Sequence, residues 1–173
     1  PFIRRIGSFS IAYSYINKIV IPSKVTHIGK FAFCNCILLQ TVEFTADSEL
    51  HTIEEGAFSD SSVNRIIIPS SVTVIKKNWN SDTKELKEVI VIQNKKQNIM
   101  LYDNKFIVGK SDIQSDVFDI LVFAYKDIKV ANIPSFVKHI YPFAFYNSFV
   151  EKIIVPYQIE KISKYAFADC SRL

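Results

Sequence analysis

The sequence contains three histidines, the side chains whose ordinary pKa best suits acid–base catalysis near neutral pH. His27 and His139 occupy the same position in two stretches of similar pattern, and His51 stands one position earlier in its own stretch. Side chains spaced in this way along a stack of repeats cannot converge on one substrate, so we expect exposed surface histidines. The sequence also lacks the G-x-S-x-G, H-E-x-x-H and P-loop motifs and any paired-carboxylate motif, which argues against an enzyme.

The three cysteines, Cys34, Cys36 and Cys170, are candidates for a zinc site or a disulfide. Their number is odd, no C-x-x-C pair occurs, and no zinc-ligand spacing is present. In a stack of repeats about 4.8 Å apart, Cys36 and Cys170 would lie far beyond the ~7 Å limit for a disulfide. We therefore predict buried free thiols that pack as small hydrophobic side chains, and no metal site.

One acidic cluster stands out, formed by Asp47, Glu49, Glu54 and Glu55. We expect it to solvate a turn, with calcium binding as the alternative. The net charge is +4, from 21 Lys and Arg against 17 Asp and Glu, and the basic residues are scattered. Because nucleic-acid-binding proteins usually concentrate basic residues on one face, we predict no nucleic-acid partner. The sequence indicates no cofactor.

An internal repeat must position all of these side chains. An aliphatic residue followed by proline occurs four times, each time with an isoleucine six residues after the proline. The four dipeptides are Ile21-Pro22, Ile68-Pro69, Ile133-Pro134 and Val155-Pro156. Triplets of the pattern aliphatic-x-x-aliphatic-x-aliphatic recur along the chain, and their first members lie at 16, 39, 63, 86, 128 and 150. Counting Leu173 as the next start, five of the six steps lie within one residue of 23.

The alternation in each triplet predicts a short strand with two side chains on one face, closed where a proline removes an amide donor. The following block reads aliphatic-x-x-Ile-x-x-aromatic-Ala-Phe, and its spacing fits either a helical turn or a second short strand. A single repeat cannot bury its own apolar face, whereas a stack buries a continuous core. We predict an aromatic spine in this core, formed by Phe33, Phe58, Phe145 and Phe167.

Composition agrees with a strand-rich solenoid. The chain has 26 Ile and 15 Val but only 7 Leu, which argues against a helical bundle or a coiled coil. No apolar run approaches the ~18 residues that could span a bilayer. The first residues lack the basic start and apolar block of a signal peptide, so this chain shows neither kind of membrane-targeting segment.

The stretch from Ile16 to Leu39, INKIVIPSKVTHIGKFAFCNCILL, resembles the repeat of the BspA-like leucine-rich repeat family. The segment from Phe118 to Phe145 is similar to the trichomonad branch of that family. The resemblance implies an α/β-type, right-handed solenoid of ~22–24-residue units, with one short parallel strand per unit on the concave side and few helical residues. It also implies a surface or secreted protein, since several members are linked to adhesion to host cells, matrix or other microbes. The family shares no catalytic site or cofactor.

We expect residues 1–173 to form a single solenoid segment that is a fragment of a longer array. The pattern is broken in two places. The third aromatic block becomes Asn78-Trp79-Asn80, with no aromatic residue at the spine position. Directly after that repeat comes an irregular insertion, residues 92–127, with a predicted hairpin that turns near Asp103-Asn104 and a further strand at 118–123. The insertion is either one distorted double coil or one coil that carries a projecting hairpin.

Strand parity predicts which side chains leave the core. The triplet members point inward, and two columns of residues between them point outward. The outward residues that we predict to bind a partner are Lys18, Val20, Glu43, Arg65, Ile67, Glu88, Ile90, Asn132, Lys152 and Ile154. An exposed aliphatic stripe with a basic rim is typical of a protein-binding surface. The alternatives are that β-propensity favours Ile and Val there, or that an adjoining domain covers the stripe.

These patterns favour a non-catalytic protein–protein interaction module in a surface or secreted protein that mediates adhesion through its concave sheet. The expected partner is a host, matrix or microbial protein, with end-to-end or homotypic contacts as a further expectation. A purely structural spacer or a cytosolic scaffold segment is the alternative. An enzyme with its site in the insertion is a third hypothesis.

Overall fold

The structure, a computed structural model, describes residues 3–76, 78–93 and 96–173. Lys77 of the third repeat, and Asn94 and Lys95 of the insertion, lie outside the described residues. The chain divides into two compact units, Pro1–Gln97 and Asn98–Leu173, which we call the N-terminal unit and the C-terminal unit. A single segment over residues 1–173, as part of a longer array, stays a prediction.

The N-terminal unit is a parallel β-solenoid in which every coil contributes one longer and one shorter strand. Its strands are β1 (Arg5–Ile6), β2 (Lys18–Ile21), β3 (His27–Ile28), β4 (Thr41–Phe44), β5 (Thr52–Ile53), β6 (Arg65–Pro69), β7 (Val74–Ile75) and β8 (Glu88–Ile92). The longer strands form a sheet in the order β2-β4-β6-β8, and the shorter ones a sheet in the order β1-β3-β5-β7. All these pairs are parallel, so the predicted parallel solenoid is confirmed in this unit.

Alternation along the longer strands sorts side chains between core and surface, as the triplets predict. In β4, Val42 and Phe44 are buried, whereas Thr41 and Glu43 are half-buried on the other face. The register places Lys18 beside Thr41 and Arg65 beside Glu88, so residues one repeat apart become neighbours. The ~23-residue period therefore appears in space as columns of residues from equivalent repeat positions.

The block after each longer strand forms a two-residue strand followed by turns, which settles the choice between helical turn and second strand. No α-helix occurs within the described ranges. Six coils each turn through a pair of left-handed backbone positions four residues apart, with φ between 52° and 64°. The first positions are Phe9, Phe31, Gly56, Asn78, Phe143 and Tyr165, and the second are Tyr13, Asn35, Asp60, Asp82, Asn147 and Asp169.

Hydrogen bonds between neighbouring coils hold these turns. The amide of Phe31 donates to the carbonyl of Glu55 at 3.1 Å, and the amide of Phe33 donates to the carbonyl of Ala57 at 2.8 Å. A left-handed conformation costs a residue with a side chain about 1–2 kcal/mol, and these bonds between coils offset that cost. Stacking therefore imposes the conformation where the first position is bulky, as at Phe31, whereas five of the six second positions are Asn or Asp, which adopt it more readily.

The predicted aromatic spine is present within each unit. In the N-terminal unit the rings of Phe33 and Phe58 stack with their centroids 5.2 Å apart. The next coil has Asn80 at the spine position, as the sequence shows, but the buried ring of Trp79 meets Phe58 edge-on at 6.3 Å. Aromatic packing thus continues past the break in the pattern, because the neighbouring residue supplies the ring.

The C-terminal unit contains the strands of the insertion and of the last repeats. They are β9 (Ile99–Tyr102), β10 (Phe106–Gly109), β11 (Ile120–Ala124), β12 (Val130–Asn132), β13 (His139–Ile140), β14 (Lys152–Ile154) and β15 (Lys161–Ile162). One sheet has the order β15-β13-β11-β10-β9, and β12 pairs with β14 in a second one. Its core is centred on Phe145, which is fully buried and packs between Phe106 at 6.3 Å and Phe167 at 5.3 Å.

The insertion forms the predicted hairpin, and this hairpin lies within a sheet. Strands β9 and β10 pair antiparallel around a turn in which Asp103 and Asn104 both have positive φ, as a type I′ hairpin turn requires. Strand β10 pairs antiparallel with β11, and β11 pairs parallel with β13. The hairpin therefore extends the sheet of β15, β13 and β11 at its β11 edge and does not project from its coil.

Candidate functional site

The outward side of the sheet β2-β4-β6-β8 forms the largest surface built from predicted site residues, and we call it the long-strand face. Strand alternation directs every second side chain onto it. Its outward residues are Lys18, Val20, Thr41, Glu43, Arg65, Ile67, Glu88, Ile90 and Ile92. The structure thus brings seven of the ten predicted residues together on one face of one unit. Ile92 extends the face beyond the sequence prediction, because β8 continues one residue past its triplet.

Each strand of the long-strand face carries one charge, and the signs alternate from strand to strand. Lys18 Nζ on β2 lies 3.0 Å from Glu43 Oε2 on β4. Arg65 Nε on β6 lies 2.9 Å from Glu88 Oε2 on β8, in a geometry that makes an ion pair without an aligned hydrogen bond. Lys18 and Arg65 of the predicted basic rim are therefore neutralised by acids of the same face.

Aliphatic side chains occupy most of the remaining long-strand face. Val20 is 51% exposed, and Ile67 and Ile90 are half-buried neighbours in the register of β6 and β8. Glu43 lies beside Val20 and separates it from the Ile67 and Ile90 pair. The face is thus an aliphatic strip crossed by internally paired charges.

The three other predicted residues lie on the C-terminal unit. Asn132 on β12 pairs with Ile154 on β14, and Val130 pairs with Lys152. Val130 and Ile154 are each 48% exposed. This smaller outward face combines two aliphatic side chains with one ammonium group and one amide.

The histidines are less exposed than the sequence indicates. His51 is exposed, but His27 and His139 are half-buried, so the prediction of exposed histidines is wrong for these two. The reason is that both begin short strands, β3 and β13, that are covered by neighbouring coils. His27 Nε2 lies 3.7 Å from Glu54 Oε1. Burial and then Arg5 lower the pKa of His27, while Glu54 acts against them.

Two members of the acidic cluster form ion pairs with cations of neighbouring coils, Glu49 with Arg4 and Lys24 and Glu55 with Lys30. Glu54 lies beside the imidazole of His27. A hydrogen bond from the Thr45 hydroxyl is the main cause that lowers the pKa of Asp47. In the ranges that the structure describes, no three His, Cys, Asp or Glu side chains are grouped so that they could hold a metal ion.

The cysteines are free thiols in the described chain, as predicted. Cys34 and Cys36 are buried as predicted, whereas Cys170 is half-buried, so the prediction of burial is wrong for this thiol. Cys36 Sγ donates to the carbonyl oxygen of Ile11 at 3.2 Å, and Cys170 Sγ donates to that of Phe145 at 3.1 Å. Cys36 and Cys170 thus each satisfy a carbonyl group of the preceding coil.

Sequence reasoning missed a cleft of about 830 Å³ in the N-terminal unit, where the longer strands turn toward the shorter ones. The lining residues are Lys24, Ala46, Asp47, Ser48, Glu49, His51, Ser71, Gln93 and Lys96. Five residues separate Phe44 from Leu50, whereas three separate Ile21 from Val25, and this longer connection supplies four of the lining residues. A change in connection length is the signal that could have revealed the cleft. Its charges are of both signs, and only Ala46 in the lining is apolar.

Comparison with known proteins agrees with this architecture. Residues 4–118 and 100–173 match the family described as "BspA type Leucine rich repeat region", with six copies of the repeat. The chain belongs to the BspA-type leucine-rich repeat family. Repeat proteins of this kind stack short units into extended surfaces that are suited to binding. No curated protein matches the chain.

Three solved structures show how the fold of this BspA-type chain compares. The pneumococcal vaccine antigen PcpA aligns with a TM-score of 0.86 at 23% identity, over 99% of this chain and 41% of that one. A leucine-rich repeat protein from Eubacterium ventriosum aligns with a TM-score of 0.71 at 25% identity, over 95% and 48%. A leucine-rich cell surface protein from Faecalibacterium prausnitzii aligns with a TM-score of 0.64 at 22% identity, over 91% and 52%. The chain thus spans about half or less of each of these proteins.

The search for membrane-spanning helices in the described ranges found none of sufficient length and apolar character.

Proposed function

We propose that this chain is a non-catalytic protein-interaction module whose long-strand face is the binding surface. The observation that carries the proposal is the set of outward aliphatic side chains on this face: the neighbours Ile67 and Ile90, and Val20 across Glu43. An outward sheet face that meets only water is expected to be mainly polar, and exposed aliphatic side chains grouped on one surface mark interaction sites. The polar rim around these side chains is the usual surrounding of such a site.

We further propose that the module belongs to a protein of the cell surface and acts in adhesion to host cells, matrix or other microbes. One solved structure of the same fold is titled a leucine-rich cell surface protein, and another is a pneumococcal vaccine antigen. These descriptions apply to those proteins, and they support the proposal for this chain through the shared repeat architecture.

Substitution on the face tests the proposal. We expect Ile67→Asp and Val20→Asp to keep the fold and to abolish binding to purified fibronectin, laminin or collagen, or to host cells, measured by biolayer interferometry and cell adhesion. Leu38→Asp is the matched control, since Leu38 is 49% exposed and lies outside the face whereas Val20 is 51% exposed within it. The smaller face is tested by Ile154→Asp. Normal binding by all the face variants would contradict the proposal, and a chain that binds none of these probes would favour the spacer alternative.

A further inference from the structure

We infer that the surface which covers the long-strand face is an uncharged, apolar segment of a protein partner. This inference rests on the proposed function and adds the chemistry of the partner to it. Four ionised side chains point outward from the sheet β2-β4-β6-β8, and all four form ion pairs within the face. The pairs are Lys18 with Glu43 and Arg65 with Glu88. The outward residues therefore leave no net charge for a partner to complement.

Pairing of the charges sets what a partner can gain. A charged group brought onto this face loses water and meets cations and anions at nearly equal distance, so its attraction and repulsion largely cancel. A charge that displaced one member of a pair would leave the other member desolvated and unpartnered, which is costly. Charged partners are therefore disfavoured on the long-strand face.

Aliphatic side chains offer the opposite balance. Ile67, Ile90 and Ile92 are neighbours on β6 and β8, and Val20 lies on β2 across Glu43 of β4. Strands are spaced by about 4.8 Å, so β2 and β8 are about 14 Å apart. Burial of this apolar area against an apolar segment gains hydrophobic free energy without breaking an ion pair. A partner segment that crosses β6 and β8 can bury apolar side chains against Ile67, Ile90 and Ile92, and one that continues over Glu43 also reaches Val20.

The smaller face of the C-terminal unit shows that paired charges are not a general property of these sheets. Strands β12 and β14 present Val130, Asn132, Lys152 and Ile154, and this outward set contains an ammonium group but no carboxylate. Charge neutrality through alternating signs thus distinguishes the long-strand face from this smaller face.

Selection from a phage-displayed library of random short peptides tests the inference on the whole chain. We expect the selected peptides to be rich in aliphatic and aromatic residues with no excess of either charge. Their affinity should change less than about twofold between about 0.05 and 0.5 M NaCl, because salt screens only charge interactions. Binding should be lost in the neutral double variant Ile67→Ser/Ile90→Ser and kept in Leu38→Ser, with circular dichroism as the check on folding.

The outcomes separate the two proposals. Peptides that bind Ile67→Ser/Ile90→Ser as well as the parent chain would contradict the long-strand face as a binding surface, and so the proposed function. Peptides that need the face but are charged, and that weaken about tenfold in high salt, would overturn the inference and leave the proposed function standing. A library without any face-dependent binder would contradict both.

A charge-unmasking variant provides the second measurement. Lys18→Met leaves Glu43 without its partner, so we expect peptides selected on this variant to become basic and salt-sensitive. Lys30→Met is the matched control. Lys30 Nζ lies 3.6 Å from Glu55 Oε2, and this ion pair is outside the long-strand face. If both variants select the same uncharged peptides, internal pairing does not set the chemistry of the partner, and the inference fails.

Discussion

The ring of Phe31 lies directly over Gly56 of the next coil. A methyl group placed on Gly56 would fall well inside van der Waals contact with Cδ1 and Cε1 of Phe31. Gly56 also has a φ of +64°, at the turn position that Phe31 itself holds with a φ of +53°. In the first coil that position carries Phe9, whose ring stacks on Phe31 at 5.2 Å. Phe31 therefore stacks on Phe9 on one side. On the other side, the absence of a side chain at Gly56 makes room for the Phe31 ring.

Gly56→Ala should lower the free energy of unfolding by about 1–3 kcal/mol, because it combines a left-handed alanine with the clash against Phe31. In a Phe31→Ala background only the backbone cost of about 1 kcal/mol should remain. Urea denaturation followed by circular dichroism measures both, and Gly7→Ala is the control, since a Cβ there would meet nothing closer than 3.8 Å. If Gly56→Ala lowered the free energy of unfolding equally with and without the Phe31 ring, the ring would not be the reason that glycine is needed at position 56.

Asp119 should hold the loop of residues 110–118 in place. Its buried carboxylate accepts from the amide of Ser111 at 2.8 Å and from the hydroxyl of Ser111 at 2.5 Å. We expect Asp119→Ala to cost about 1–3 kcal/mol of unfolding free energy and to speed hydrogen exchange at the Ser111 amide. Asp116→Ala removes a fully exposed carboxylate of the same loop and should change neither. Unchanged exchange at Ser111 in Asp119→Ala would refute this role.

Stability should fall as the solution becomes acidic, in part through His27. Burial lowers the pKa of His27 in the folded chain below its ordinary value of 6.5, so the unfolded chain takes up the proton first. The stability from the neutral imidazole is therefore present above pH 6.5 and is lost as the pH falls through the lower folded pKa. We expect His27→Gln to flatten the dependence of unfolding free energy on pH below 6.5, with His51→Gln, at an exposed site, as control. If the unfolding free energy of His27→Gln depended on pH as steeply as that of the parent chain, His27 would not contribute to the loss of stability in acid.

Native-state alkylation should distinguish the thiols. Burial raises the pKa of Cys34, so little reactive thiolate is present near neutral pH. Cys170 is half-buried and the other two cysteines are buried. Iodoacetamide should therefore modify Cys170 first, and mass spectrometry after digestion would identify the site. Cys34 should react only after the chain is unfolded in urea, and early modification of Cys34 would contradict its burial.

The strand triplets, the period and the aromatic spine were predictable because they depend on side-chain type and spacing alone. The left-handed conformation at the first turn position was not, because Phe31 and Tyr165 are residues that rarely adopt positive φ. Hydrogen bonds to the next coil impose that conformation, and a bond between residues 24 positions apart, such as Phe31 to Glu55, has no local sequence signal. The burial of His27 escaped prediction for the same reason, since the neighbouring coils supply the cover.

Parity along the strands predicted the outward residues of the long-strand face but not how their charges are arranged. Lys18 and Glu43 belong to different columns of the sequence pattern, so the lysine was interpreted as part of a basic rim. In the structure Lys18 reaches diagonally across to the next strand and meets Glu43 at 3.0 Å. The reach of a flexible side chain over a neighbouring strand follows from three-dimensional register and not from spacing along the chain.

The alternation of sign along β2, β4, β6 and β8 also constrains how such a gene can change. Loss of the single repeat that carries β4 would place Lys18 next to Arg65, two cations on adjacent strands. Loss of the two repeats that carry β4 and β6 would place Lys18 next to Glu88 and keep opposite signs together. Duplication obeys the same parity. A gain or loss of two repeats in this unit would thus keep opposite charges on adjacent strands, whereas a change by one repeat would bring like charges together.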